Sequence, residues 1–174
     1  MTQVKMGCLH DNNFSTRLRE GNVSTTSYIQ YLKFYREVFD AIESENDIDP
    51  RLCRVEKIDQ DLKTFGSYAD DVLTPPMAKP YADYILGCDE WRDEQINAHI
   101  RLNYGTILGD SRRVNNTLPY SKNIYLFMNR DYLTRYIDTL GYDSSQAFTG
   151  MKYHLNLYKY LKGPLDDETI LDWL

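Results

Sequence analysis

The residues with most capacity for chemistry are three histidines, His10, His99 and His154, and one carboxylate in an unusual setting, Asp110. Asp110 closes the stretch Ala98–Asp110, whose apolar positions recur at helical spacing and which also carries Gly105 and Gly109. Glycine inside a helix costs about 1 kcal/mol relative to alanine. Two glycines on one helix stretch imply a backbone that bends or lies close to something flat or bulky. His99 beside Leu102, and His154 between Tyr153 and Leu155, read as hydrogen-bonded core residues. A dinuclear iron centre would need inward carboxylates with Glu-x-x-His motifs. Glu94 and His99 are spaced wrongly for one, and His154 has no acid three or four residues away. No serine or cysteine stands in a nucleophile motif.

The elements that must position these residues are helical almost throughout. Tyr28, Tyr31, Leu32, Tyr35, Val38, Phe39 and Ile42 form one apolar stripe, and Ser27 with Gln30 reads as its capping box. Asp49-Pro50 predicts an N-cap and first turn for a helix with the face Leu52, Val55, Ile58, Leu62 and Phe65, stopped by Gly66. Pro80 starts a short helix that Gly87 interrupts, and Asp89 caps the next, which ends before an Asn115-Asn116 loop. Ser121 caps a helix running through Tyr132 and Tyr136 to Gly141. The last long helix runs from about Ser144 to Gly163-Pro164, followed by a short acidic tail that ends in Ile170, Leu171, Trp173 and Leu174. The expectation is one all-α domain of six to eight helices over 174 residues.

A net charge of −6 argues against nucleic acid as a partner, which would want a basic field. Cys8, Cys53 and Cys88 are odd in number and widely spaced, as for reduced thiols. No apolar run approaches the ~20 residues of a membrane span, so a soluble, cytoplasmic protein with no membrane span is expected.

The order of landmarks resembles the haem (heme) oxygenase family. Phe14 is followed by Gly21-x-Val23-Ser24, then Asp49-Pro50-Arg51-Leu52, Asp61-Leu62, Phe65-Gly66, Thr74-Pro75 and Tyr84-Ile85. Ala98-His99, Tyr104, Leu108-Gly109-Asp110 and Tyr153 with Asn156 complete the series. The resemblance implies a haem oxygenase-like bundle with haem as substrate and cofactor, cleaved by dioxygen to biliverdin, carbon monoxide and iron. It also implies an external electron donor, a ferredoxin or a reductase, because the chain has no flavin or dinucleotide motif.

Carried over residue by residue, the resemblance makes Asp110 the distal acid that orders water, and Gly105 and Gly109 the points of close approach to haem. Tyr104 and Arg135 become contacts to the ring edge or propionates. His10 becomes the iron ligand, one helical turn after Met6, which occupies the family's histidine position. The Leu108-Gly109-Asp110 triplet falls about three residues late relative to His99. Arg112-Arg113 also stands where the family has a glycine pair. The alternative function is therefore a non-catalytic scaffold or interaction protein on the same fold.

Overall fold

A computed structural model describes residues 13–87 and 93–161. His10, Met6, Cys8, Cys88, the expected Asp89 cap and the C-terminal tail lie outside them. The described residues form eight α-helices and one 3-10 turn, with no strand. The helices are α1 (Asn13–Arg19), α2 (Thr25–Glu45), α3 (Val55–Lys63), α4 (Ser67–Asp71), α5 (Ala78–Leu86), α6 (Asp93–Thr117), α7 (Arg130–Thr139) and α8 (Ser144–Tyr160), with the 3-10 turn at Asn123–Tyr125. α2 lies in the middle, packed mainly on α5 and α3, while α6 packs on α8, α7 and α1.

The apolar stripe of α2 is wider than a surface helix needs, because Ile29 and Phe34 are buried along with the tyrosines. Such a helix has neighbours on most sides. Its cap is Ser24 rather than Ser27: the Ser24 hydroxyl accepts the Ser27 N–H at 3.1 Å. Gln30 instead reaches Tyr160 on α8. α8 begins as expected, with the Asp143 carboxylate accepting the Gln146 N–H.

Two starts differ from expectation because their orphan N–H groups are met from elsewhere in the chain. Asp49-Pro50 opens a turn, with Asp49 gripping Arg51 at 2.7 Å. α3 starts only at Val55, and its first N–H groups, of Arg54 and Val55, donate to the Glu43 carboxylate of α2. Ser121 caps no helix, since its hydroxyl donates to buried Asp61 on α3. The same carboxylate accepts the N–H groups of Asn123 and Ile124, at 2.7 and 2.9 Å, and the Asn123 side chain at 3.0 Å. Those contacts hold the segment in a 3-10 turn, and α7 starts separately after Asn129, which is left-handed at φ 55°.

Arg54, 2% exposed, completes this joint. Its guanidinium donates to the carbonyls of Arg51, Leu52, Ile124 and Leu126, and lies 3.9 Å above the Phe127 ring. Burial pulls its pKa down to about 10, the charge of Glu43 opposing the fall.

α6 is unbroken from Asp93 to Thr117, so Asn115 and Asn116 belong to the helix rather than to a loop. Its C-terminal end is pressed against the α1–α2 turn, where Thr117 donates to the Arg19 carbonyl. Gly21 sits there at φ +72°, and a Cβ on it would lie 2.2 Å from the Thr117 carbonyl oxygen. Gly21→Ala is therefore expected to cost about 2 kcal/mol or more, from left-handed strain and the clash together. A urea midpoint equal to wild type would contradict this.

Candidate functional site

His99, Asn103, Thr106 and Asp110 follow one another at steps of four, three and four, and so share one face of α6. All four are buried there. Gly150 on α8 admits this face: a Cβ on it would lie 2.6 Å from Leu102 Cδ2, 2.9 Å from the Tyr81 hydroxyl and 3.2 Å from His99 Nδ1. The close helix–helix approach that needs glycine thus lies on α8, a position the sequence did not single out.

A chain of buried hydrogen bonds crosses the bundle at this level. Gln146 Oε1 meets the Tyr84 hydroxyl at 2.9 Å and His99 Nε2 at 3.0 Å. His99 Nδ1 meets the Tyr81 hydroxyl at 2.8 Å, and Asn103 Nδ2 donates to that hydroxyl at 3.0 Å. Asn103 Oδ1 lies 2.7 Å from His154 Nε2, and His154 Nδ1 lies 3.2 Å from the Tyr35 hydroxyl. Tyr35 is hydrogen-bonded in turn to Tyr158. Both histidines are core residues, as their sequence context implied. Asn103 was missed, although its place four residues after His99 on the same face was a readable signal.

Burial sets the electrostatics. It drives the His154 pKa down to about 3, with His99 adding to the fall, and it lowers His99 as well, against the pull of its bond to Gln146. Both imidazoles are neutral at pH 7. Tyr31 and Tyr125, 2.6 Å apart at their hydroxyls, are held well above the usual phenol range by burial first. The negative charge of Asp110 adds to the rise in both, and it also reaches Tyr35 and Tyr158. Asp110 is 3% exposed, a buried carboxylate whose charge acts on four buried phenols.

The other expected site residues are scattered around the helix. Tyr104 lies on another side of α6 from Asp110, packed on Phe39, and its hydroxyl donates to Glu43 at 2.9 Å. It belongs to the α2–α3 joint rather than to a face shared with Asp110. Arg135 is exposed on α7. Gly105 and Gly109, one turn apart, share a face turned toward α7. A Cβ on Gly105 would meet only Ile137 Cγ2 within 4 Å, at an ordinary 3.6 Å, and Gly109 is exposed. Arg112 and Arg113 are exposed too, Arg112 reaching Asp131 at 3.4 Å.

Among the described residues no group of three histidine, cysteine or acidic side chains could hold a metal ion. No described helix is long and apolar enough to cross a membrane. A surface cavity of about 210 Å³ lies at the N-terminal part of α6, away from Asp110. It is smaller than ordinary ligand pockets of about 300–1,000 Å³, and Asp47, Asp49 and Asp93 on its wall ill suit an anionic guest.

The arrangement of helices matches a solved structure. Heme oxygenase-1 from the cyanobacterium Synechocystis sp. PCC6803, in complex with heme, superposes with a TM-score of 0.71, covering 95% of this chain and 90% of that one. The fold is haem oxygenase-like. Identity is 16%, so the likeness is one of fold. Neither a family model nor a curated protein sequence matches the chain.

On this haem oxygenase-like fold the described residues offer no imidazole for an iron atom. Each ring nitrogen of His99 and His154 is already hydrogen-bonded inside the core. His10, the third histidine of the sequence, lies outside the described residues.

Proposed function

We propose that this chain binds haem or a related tetrapyrrole against α6. With dioxygen and electrons from an external ferredoxin or reductase, it opens the ring to biliverdin, carbon monoxide and iron. The reading rests on the fold shared with a haem-bound oxygenase and on one feature of the chain itself. Gly105 carries the cost of helical glycine, yet the described packing would admit a methyl group there. A flat ligand lying on the glycine face accounts for that cost.

The residues present fit such a group in part. His10 supplies the imidazole for iron, since the other two are committed. Asp110 is buried on a different face of α6 from the glycines, and under this reading it accepts a hydrogen bond from water on the ligand's inner side. The bound haem supplies the iron that activates dioxygen. Arg135 stays a candidate partner for a propionate because it is exposed and free to swing, whereas the Tyr104 hydroxyl is already taken by Glu43.

One observation favours the second reading, a scaffold that keeps the fold without the chemistry. Tyr31 pairs with Tyr125 and Tyr35 with His154, so this part of the interior is satisfied without a ligand. Gly105→Ala separates the two. The substitution stabilises the unliganded protein by about 0.5–1 kcal/mol under either reading, and weakens haemin binding if the glycine face holds a ligand. Equal haemin titrations for wild type and variant would count against a ligand on that face.

A further inference from the structure

The proton positions in the buried chain follow by elimination. Asn103 Nδ2 donates to the His99 carbonyl at 2.8 Å, and a carbonyl only accepts, so the amide is oriented. Its Oδ1 therefore accepts from His154 Nε2, which leaves His154 Nδ1 unprotonated to receive the Tyr35 hydroxyl, so that Tyr158 is the donor in its bond to Tyr35. Gln146 Oε1 is an acceptor, so the proton of His99 sits on Nε2 and Tyr81, which accepts from Asn103, directs its own proton to the unprotonated His99 Nδ1. His99 in turn donates through Nε2 to Gln146. Two buried phenols each donate to a bare imidazole nitrogen, and one amide couples the pairs.

A phenol held against a base loses an electron more easily, because its proton can move as the electron leaves. Burial keeps both phenols protonated at rest and both imidazoles neutral, hence able to take that proton. The rings also make a continuous path. Half-buried Tyr153 stacks on Tyr81 at 4.5 Å and 10°. Phe34 lies between Tyr81 and Tyr35, at 6.2 and 5.3 Å. Tyr31 follows 4.8 Å beyond Tyr35, in the group around Asp110.

We propose that Tyr81–His99 and Tyr35–His154 are two redox-active tyrosine sites that pass oxidising equivalents between the Asp110 end of the core and Tyr153 near the surface. A one-electron outer-sphere oxidant removes one electron from Tyr81 and is itself reduced by one. The phenolic O–H bond breaks, an N–H bond forms at His99 Nδ1, and a neutral phenoxyl radical faces an imidazolium. An electron from Tyr35 reverses this at Tyr81 and repeats it at the second pair, with His154 Nδ1 taking the proton. The step needs no tetrapyrrole and stands apart from the haem reading.

The test uses the full chain without haem and photogenerated tris(bipyridyl)ruthenium(III) as oxidant, with freeze-quenched electron paramagnetic resonance. Wild type should give a slowly decaying tyrosyl signal that narrows in D2O as the coupling to the shared proton is lost. The double variant Tyr35→Phe/Tyr81→Phe should lose the slow component and keep the fast signals of exposed tyrosines, whereas Tyr132→Phe/Tyr136→Phe should keep it. A slow component unchanged in the first double variant would overturn the proposal. So would a wild-type signal with no exchangeable proton coupling, a reading that does not depend on the variants folding.

Discussion

Acidifying the protein from pH 7 to pH 4.5 is expected to remove about 2–3 kcal/mol of stability through His154 alone. The folded pKa of about 3 lies below the ordinary histidine value near 6.5. Below pH 6.5 the unfolded chain therefore binds a proton that the folded chain refuses, and stability falls by about 1.4 kcal/mol per pH unit until pH approaches 3. His99, lowered in the same direction, adds to the fall. Urea unfolding at the two pH values checks this, with His154→Leu as the comparison. The variant should be weaker at pH 7, because Asn103 and Tyr35 lose their partner. It should also lose less between pH 7 and 4.5 than wild type does. An equal loss in both would mean that carboxylates elsewhere govern the acid response.

The other large effect is expected at Asp61. Its carboxylate is fully buried and accepts from Ser121, from the Asn123 and Ile124 backbone and from the Asn123 side chain. Asp61→Ala leaves those donors without their acceptor in the interior, so a loss of about 3–5 kcal/mol is expected. Asp61→Asn should be nearly as damaging, since an amide presents two N–H groups where donors already converge. Both are measured as urea midpoints. A change within about 0.5 kcal/mol, as for an ordinary surface substitution, would show that the 3-10 turn does not depend on this carboxylate.

These two residues also show which parts of the molecule were legible in the sequence. α2 and α8 were readable because their own apolar spacing specifies them, although the cap of α2 is Ser24 rather than the expected Ser27. α3 and the Ser121 segment were misread because Glu43 and Asp61 supply their caps from other helices, and no local pattern encodes a partner far along the chain. The order of landmarks carried the fold, as the superposition on a haem oxygenase shows.

The site was less legible. Helical spacing would have put His99 and Asp110 on one face and removed Tyr104, whose hydroxyl faces Glu43, but neither relation was drawn from the sequence. Gly105 and Gly109 were singled out for close approach, but the tight helix contact is at Gly150. A glycine's neighbours are a property of the packed bundle, which one helix considered alone does not reveal. His10, the residue on which iron ligation turns, lies outside the described residues, so the proposal for it rests on the family resemblance and on the hydrogen bonds that occupy His99 and His154.

Iron ligation by His10 is tested most directly by titrating haemin into the purified protein and following its absorption near the Soret band, in wild type and in His10→Ala. Ligation by His10 predicts a saturable one-to-one complex whose band shifts or disappears in the variant, with the helical fold unchanged by circular dichroism. No saturable binding by wild type, or an identical spectrum and affinity in His10→Ala, would contradict it.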